Sequence, residues 1–99
     1  MARNLKPTRE IVLPDRLDLA ASGPLRDELL GALDGGGSLA LDGAATTSVD
    51  LSCLQVLCAF VRDAGQGERQ VSWTRTSPAL VDSARRLGLT GSLRLVSKG

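Results

Sequence analysis

Apolar positions along the chain fall into short alternating stretches and longer ones with a three-to-four spacing. Arg9-Glu10-Ile11-Val12-Leu13-Pro14 predicts a strand, which Pro14 ends or places at a sheet edge. Pro14-Asp15-Arg16 predicts a turn. Leu17-Asp18-Leu19 alternates apolar and polar, so a second short strand follows and the two read as a hairpin. Ala21-Ser22-Gly23-Pro24 opens a helix, with Ser22 or Gly23 as its cap and Pro24 in its first turn. Asp27 and Glu28 fall near its positive end. Leu25, Leu29 and Leu33, with Leu30 and Ala32 beside them, give that helix one buried face. Gly35-Gly36-Gly37 ends it.

Ser38 to Asp42 predicts a short buried strand, and Gly43 to Asp50 a linker of small and hydroxyl residues. Ser52 to Ala64 is the most apolar stretch. It lacks Gly and Pro and carries no charge before Arg62, which favours a buried helix over a strand. Gly65 and Gly67 end it. Gln70 to Thr74 is the next strand, and Trp73 on it is either core or an exposed anchor. Ser77-Pro78 opens a further helix, with serine as cap and proline in first position. Leu80, Val81, Ala84 and Leu87 form its stripe, Arg85 and Arg86 suit its negative end, and Gly88 stops it. Ser92 to Val96 predicts a short final strand.

The order β-β-α-β-α-β-α-β requires crossovers. It predicts an α/β domain with a mixed, mostly parallel sheet of four to five strands, and three to four helices packed mainly on one face.

Composition narrows the function. The 99 residues carry a net charge of +1, with 42% hydrophobic and 23% charged residues. That predicts a single domain over 1–99, with an ordered core of about 9–96, and argues against disorder. Balanced charge and only Trp73 and Phe60 as aromatics argue against nucleic-acid binding. The absence of histidine excludes Ser-His-Asp and Cys-His catalysis and a HExxH zinc site in this chain. No metal and no cofactor is expected. The polar N-terminus and the lack of a long apolar run predict a cytoplasmic protein without membrane insertion. Cys53 and Cys58 lie five residues apart in a predicted helix. Five residues rise about 7.5 Å and turn through about 500°, so the thiols diverge and stay reduced.

The most informative stretch is Thr46-Thr47-Ser48-Val49-Asp50-Leu51-Ser52-Cys53-Leu54-Gln55-Val56-Leu57, a polar loop running into the apolar helix. Asp50 or Ser52 can cap that helix. Ser52 with Gln55 also matches an S-x-x-Q capping box, in which two side chains satisfy each other's backbone amides.

This chain resembles the STAS domain family, the fold of bacterial anti-sigma-factor antagonists. Val12-Leu13-Pro14-Asp15-Arg16-Leu17-Asp18 is similar to the family's opening hairpin, and Leu39-Ala40-Leu41-Asp42 to its central strand. Val49 to Leu57 resembles its signature, an aspartate followed by two small hydroxyl residues, a glycine and an apolar helix. Ser77-Pro78-Ala79-Leu80 through Leu87-Gly88-Leu89 resembles its last helix. The Cys-Leu-Gln-Val-Leu run looks most like a small variant associated with chemotaxis gene clusters.

The resemblance implies a non-catalytic regulatory module that docks on an ATP-binding kinase or anti-sigma factor through residues 47–56. It implies partner contacts from Asp18, Ser48, Asp50, Leu51, Ser52, Cys53 and Gln55. The family's phosphoacceptor directly follows the signature aspartate. Leu51 stands there in this chain, Ser52 is the next hydroxyl, and Cys53 replaces the usual glycine. Either Ser52 has become the phosphoacceptor, or the module binds without phosphorylation. The capping box already accounts for Ser52 and favours the second. The alternatives are an accessory subunit of a lipid ABC transporter, a chemotaxis-linked adaptor, or an anion bound at the helix start. The absence of Lys and Arg between Ser48 and Ser52 weighs against the anion.

Overall fold

The computed structural model describes residues 8–95. Its elements are β1 (Arg9–Val12), β2 (Arg16–Leu17), α1 (Leu19–Leu33), β3 (Leu39–Asp42), β4 (Ser48–Val49), α2 (Leu51–Gln66), β5 (Val71–Arg75), α3 (Pro78–Arg86) and α4 (Thr90–Leu93). The fold is α/β, and its strands divide between a parallel sheet ordered β1-β3-β5 and a parallel β2-β4 pair.

The opening hairpin does not form. β1 pairs with β3, placing Ile11 opposite Leu41, and Leu13 N–H donates to Asp42 O at 2.8 Å to extend that ladder. Pro14 has no N–H with which to continue. The chain then turns toward a later segment. Buried Thr46 donates its hydroxyl to Pro14 O at 2.8 Å, and Thr47 N–H donates to Asp15 O at 2.8 Å. The stretch expected as a linker therefore carries β4, which pairs in parallel with β2 and sets Leu17 opposite Val49.

Sheet alternation separates two faces. Ile11, Leu39 and Leu41 point into one hydrophobic cluster with Leu25, Leu29, Leu54, Leu57, Phe60, Leu80 and Leu93. Glu10, Val12, Ser72 and Thr74 point the other way and are exposed, so the helices cover one face. Across the open face Thr74 Oγ1 donates to Glu10 Oε2 at 3.2 Å. Gly43, just beyond β3, leaves no free room for a side chain: a Cβ there would lie 2.8 Å from the Leu80 side chain and 3.3 Å from Trp73, so these would have to shift.

α1 starts at Leu19, before the expected Ser22 or Gly23 cap. Asp18 is its N-cap, accepting Ala21 N–H at 3.0 Å, so Asp18 is not a strand residue. Ser22 donates its hydroxyl to Leu19 O at 2.8 Å, and Pro24 stands inside the helix rather than in its first turn. Asp27 and Glu28 consequently lie mid-helix. The buried stripe is Leu25, Leu29 and Ala32, with Leu33 only half-buried. Arg69 holds the far end, donating to Ala32 O and Leu33 O at 2.8 and 3.0 Å and to Gly37 O at 2.9 Å.

α3 follows expectation at its start, with Ser77 Oγ accepting Leu80 N–H at 3.2 Å and Pro78 first. Its stripe is narrower than expected, because Leu87 is 49% exposed. α2, α3 and α4 all end through a left-handed residue, Glu68 (φ 61°), Gly88 (φ 71°) and Arg94 (φ 58°). In each, the next N–H reaches back five residues: Arg69 to Ala64 O, Leu89 to Ala84 O and Leu95 to Thr90 O, at 2.8, 2.8 and 2.9 Å. Gly65 lies within α2 and Gly67 is its C-cap, so the left-handed position falls on Glu68 instead of a glycine.

No strand forms at Ser92 to Leu95: Ser92 and Leu93 belong to α4, and Arg94 is its left-handed C-cap; Val96 lies outside the described residues. The Schellman turn at Gly88 sends the chain back over the core. There Leu93 and Leu95 are buried, and Trp73 Nε1–H donates to Leu93 O at 2.8 Å. Trp73 is thus a half-buried core residue with its indole engaged, not an exposed anchor.

Candidate functional site

The β2-β4 pair brings two helix starts together. Each strand runs directly into a helix, β2 through Asp18 into α1 and β4 through Asp50 into α2. Asp50 N–H donates to Leu17 O at 2.7 Å, which locks the junctions side by side. Asp18 and Asp50, far apart in sequence, become neighbours because parallel register fixes them one residue beyond the Leu17–Val49 pair.

The two N-caps differ. Asp18 uses its carboxylate on the Ala21 amide. Asp50 has extended backbone and accepts Cys53 N–H and Leu54 N–H at its carbonyl, at 3.1 and 3.2 Å, while its carboxylate makes no cap bond. That carboxylate instead accepts the Ser52 hydroxyl at 2.9 Å. The expected Ser52–Gln55 capping box is therefore absent. The cap is Asp50, so Ser52 lies inside the first turn of α2, where its side chain is directed to Asp50.

Leu51, the first residue of α2, is 48% exposed. Gln55, one turn on, is exposed, and Ser48 is exposed in β4 opposite Arg16. Cys53 departs from the partner-contact set. It is fully buried, and its thiol donates to Asp18 O at 3.2 Å, so it joins α2 to the α1 start from inside. Burial pushes the Cys53 thiol up from its ordinary value, with Asp50 and Asp18 adding to the effect against a lowering by the Ser52 hydrogen bond. The half-buried Cys58 thiol is raised by burial too. Both are poor nucleophiles at neutral pH.

Open grooves flank α2. One of about 370 Å³ runs between α1 and α2, lined by Arg26, Leu30, Ser52, Gln55, Phe60 and Asp63 among others. The other, about 560 Å³, lies toward α3 and α4 and includes Leu51, Gln55, Arg62, Leu87 and Leu89. Gln55 and Ala59 belong to both, so the outer face of α2 is a ridge between two troughs. Two contributors were not legible beforehand. Thr46, expected as linker, is the buried tie that aligns β4. Leu19, expected in a strand, is 70% exposed at the start of α1. The available signal was the repeated Asp-Leu step at 18–19 and 50–51.

Among the described residues, no group of three or more His, Cys, Asp or Glu side chains could hold a metal ion. No described helix is long and apolar enough to cross a membrane. A family model described as "Mlab, STAS domain" matches residues 5–97. No curated protein and no solved structure gives a match.

Proposed function

Because the chain belongs to the STAS domain family, we propose that it is a non-catalytic, cytoplasmic binding module whose start of α2, with residues 47–56 around it, docks on an ATP-binding protein. The observation that carries this reading is Leu51. A leucine half-exposed at the first position of a helix, on the rim of an open groove, gains from removal from water, and Gln55 and Ala59 on the same helix line that groove and a second one. The partner is of the kinase or anti-sigma type, and a transporter ATPase or a chemotaxis component is the alternative.

One observation favours a second reading, in which Ser52 is phosphorylated. The capping box that would have occupied it is not formed, and its hydroxyl is held by the Asp50 carboxylate. A phosphate on Ser52 would add about −1.5 to −2 charges next to Asp50, changing the docking surface while the α2 dipole tolerates the charge.

The test is affinity capture from native-host lysate, followed by binding of the purified ATP-binding partner to wild type and to Leu51→Asp. Leu51→Asp should lose at least about tenfold in affinity with unchanged circular dichroism. Unchanged affinity would refute the docking surface. Recovery of a permease-associated ATPase would select the transporter arm, and phosphosite mapping of native protein decides the Ser52 reading.

A further inference from the structure

Leu51 is not alone. Leu19 is the first residue of α1 as Leu51 is of α2, and each directly follows its N-cap aspartate. The parallel register sets Leu17 opposite Val49 and Asp50 N–H donates to Leu17 O at 2.7 Å, so Asp18 and Asp50 are the next residues on the two segments and Leu19 and Leu51 the ones after them. Leu19 is 70% and Leu51 48% exposed, placing both among the most exposed large hydrophobics of the described residues. Neither fills a core position. Two leucines left in water, each directly after the cap of a helix that starts at the same strand pair, are costly for an isolated domain and useful for a docked one.

Charge around the pair says what covers it. Asp15, Asp18 and Asp50 are exposed around the two junctions. Thr47 donates its hydroxyl to Asp15, and Asp50 accepts Ser52, yet among the described residues no ion pair involves any of these carboxylates. Among the described residues, Arg16 lies on β2 itself and Arg26 about two turns along α1. The local balance is acidic although the whole chain is at +1.

We infer that Leu19 and Leu51 form one bipartite anchor, and that its occupant is a partner protein presenting an apolar pocket rimmed by Lys or Arg. This rests on the docking reading above and extends it to α1 and to the chemistry of the partner. The leucines supply burial, and the exposed Asp18 and Asp50 carboxylates supply orientation and encounter rate.

The experiment places the photo-reactive residue p-benzoylphenylalanine at position 19, 51 or, on the open sheet face, 72 of the full chain in its native host. The cross-linked peptides are then sequenced. Positions 19 and 51 should capture one and the same protein through a peptide that carries Lys or Arg beside apolar residues, and position 72 should not capture it. Capture from 51 without 19 overturns the bipartite anchor and leaves the docking reading standing. Capture from neither removes the docking reading itself. Cross-linking to a second copy of this chain, or to a partner peptide without basic residues, also overturns the inference. Asp18→Asn and Asp50→Asn separate charge from folding, because asparagine caps a helix as well as aspartate. Each should weaken binding of the purified partner by about fivefold at low salt, with a smaller loss at high salt. A salt-independent loss, or none, refutes the charged rim.

Discussion

At the residue scale, buried polar groups are held by identifiable partners. Asp42 is 4% exposed, and Arg75 donates to its carboxylate while Ala44 N–H donates at 3.1 Å. The Arg75 hydrogen bond, then the Ala44 amide, lower its pKa below the ordinary 3.8. A carboxylate depressed in the folded state stabilises at pH values above its unfolded pKa, and that stability is lost as pH falls through the folded value. Urea midpoints should therefore drop on acidification below about pH 4, and Asp42→Asn should flatten that drop. An unchanged acid limb in the variant would show that other carboxylates dominate. Glu68 offers the opposite case. Its φ of 61° suits glycine, so Glu68→Gly should stabilise by about 0.5–1 kcal/mol in urea unfolding, after the entropic cost of glycine. Neither feature was legible beforehand. Asp42 resembled any strand-end aspartate, and the glycines at 65 and 67 drew the expected helix end away from Glu68.

At the scale of elements, helix ends decide where the pieces sit. α1 is fixed at one end by the Asp18 cap and at the other by Arg69, whose guanidinium spans three carbonyls. Charged hydrogen bonds of this kind contribute about 1.5–3 kcal/mol each at most, and here a third guanidinium nitrogen is buried with no partner among the described residues. Arg69→Ala should therefore cost about 2 kcal/mol in all, and Arg69→Lys should recover little, because an ammonium cannot span the same carbonyls. Gly43 fixes the approach of β3 to α3. Gly43→Ala should destabilise by about 1–3 kcal/mol by overpacking against Leu80 and Trp73, measured by denaturant titration. Elements with a strong local period were legible: α2, α3 and β3 stand essentially where the apolar spacing put them. α1 was displaced because Ser22-Gly23-Pro24 has the local chemistry of a helix start, while Asp18 does the capping.

At the scale of the whole molecule, one core ties both sheets to all the described helices. Trp73 is the single tryptophan of the chain and reports on α4 through its bond to Leu93 O. Leu93→Ala, at a fully buried site, should cost about 2–5 kcal/mol. Its fluorescence and far-ultraviolet circular dichroism transitions should remain coincident if α4 belongs to the cooperative unit. A fluorescence change that precedes the loss of ellipticity would make α4 a detachable element.

Local patterning determined the class of this protein: its crossovers, its apolar helices, the exclusion of histidine chemistry, and the stretch from Asp50 to Gln55 as the place to look. These follow from periodicity and residue type, which act over a few neighbours. Tertiary structure alone decided that β1 and β2 part into different sheets, that Ser92 and Leu93 are helical, that Cys53 faces inward, and that α1 and α2 start from one strand pair. The first and last of these depend on register between segments some 30 residues apart, as in the Thr46 bond to Pro14 and the Asp50 bond to Leu17. In a parallel pair a change of one residue in register reverses every side chain, and nothing in either segment taken alone sets that register.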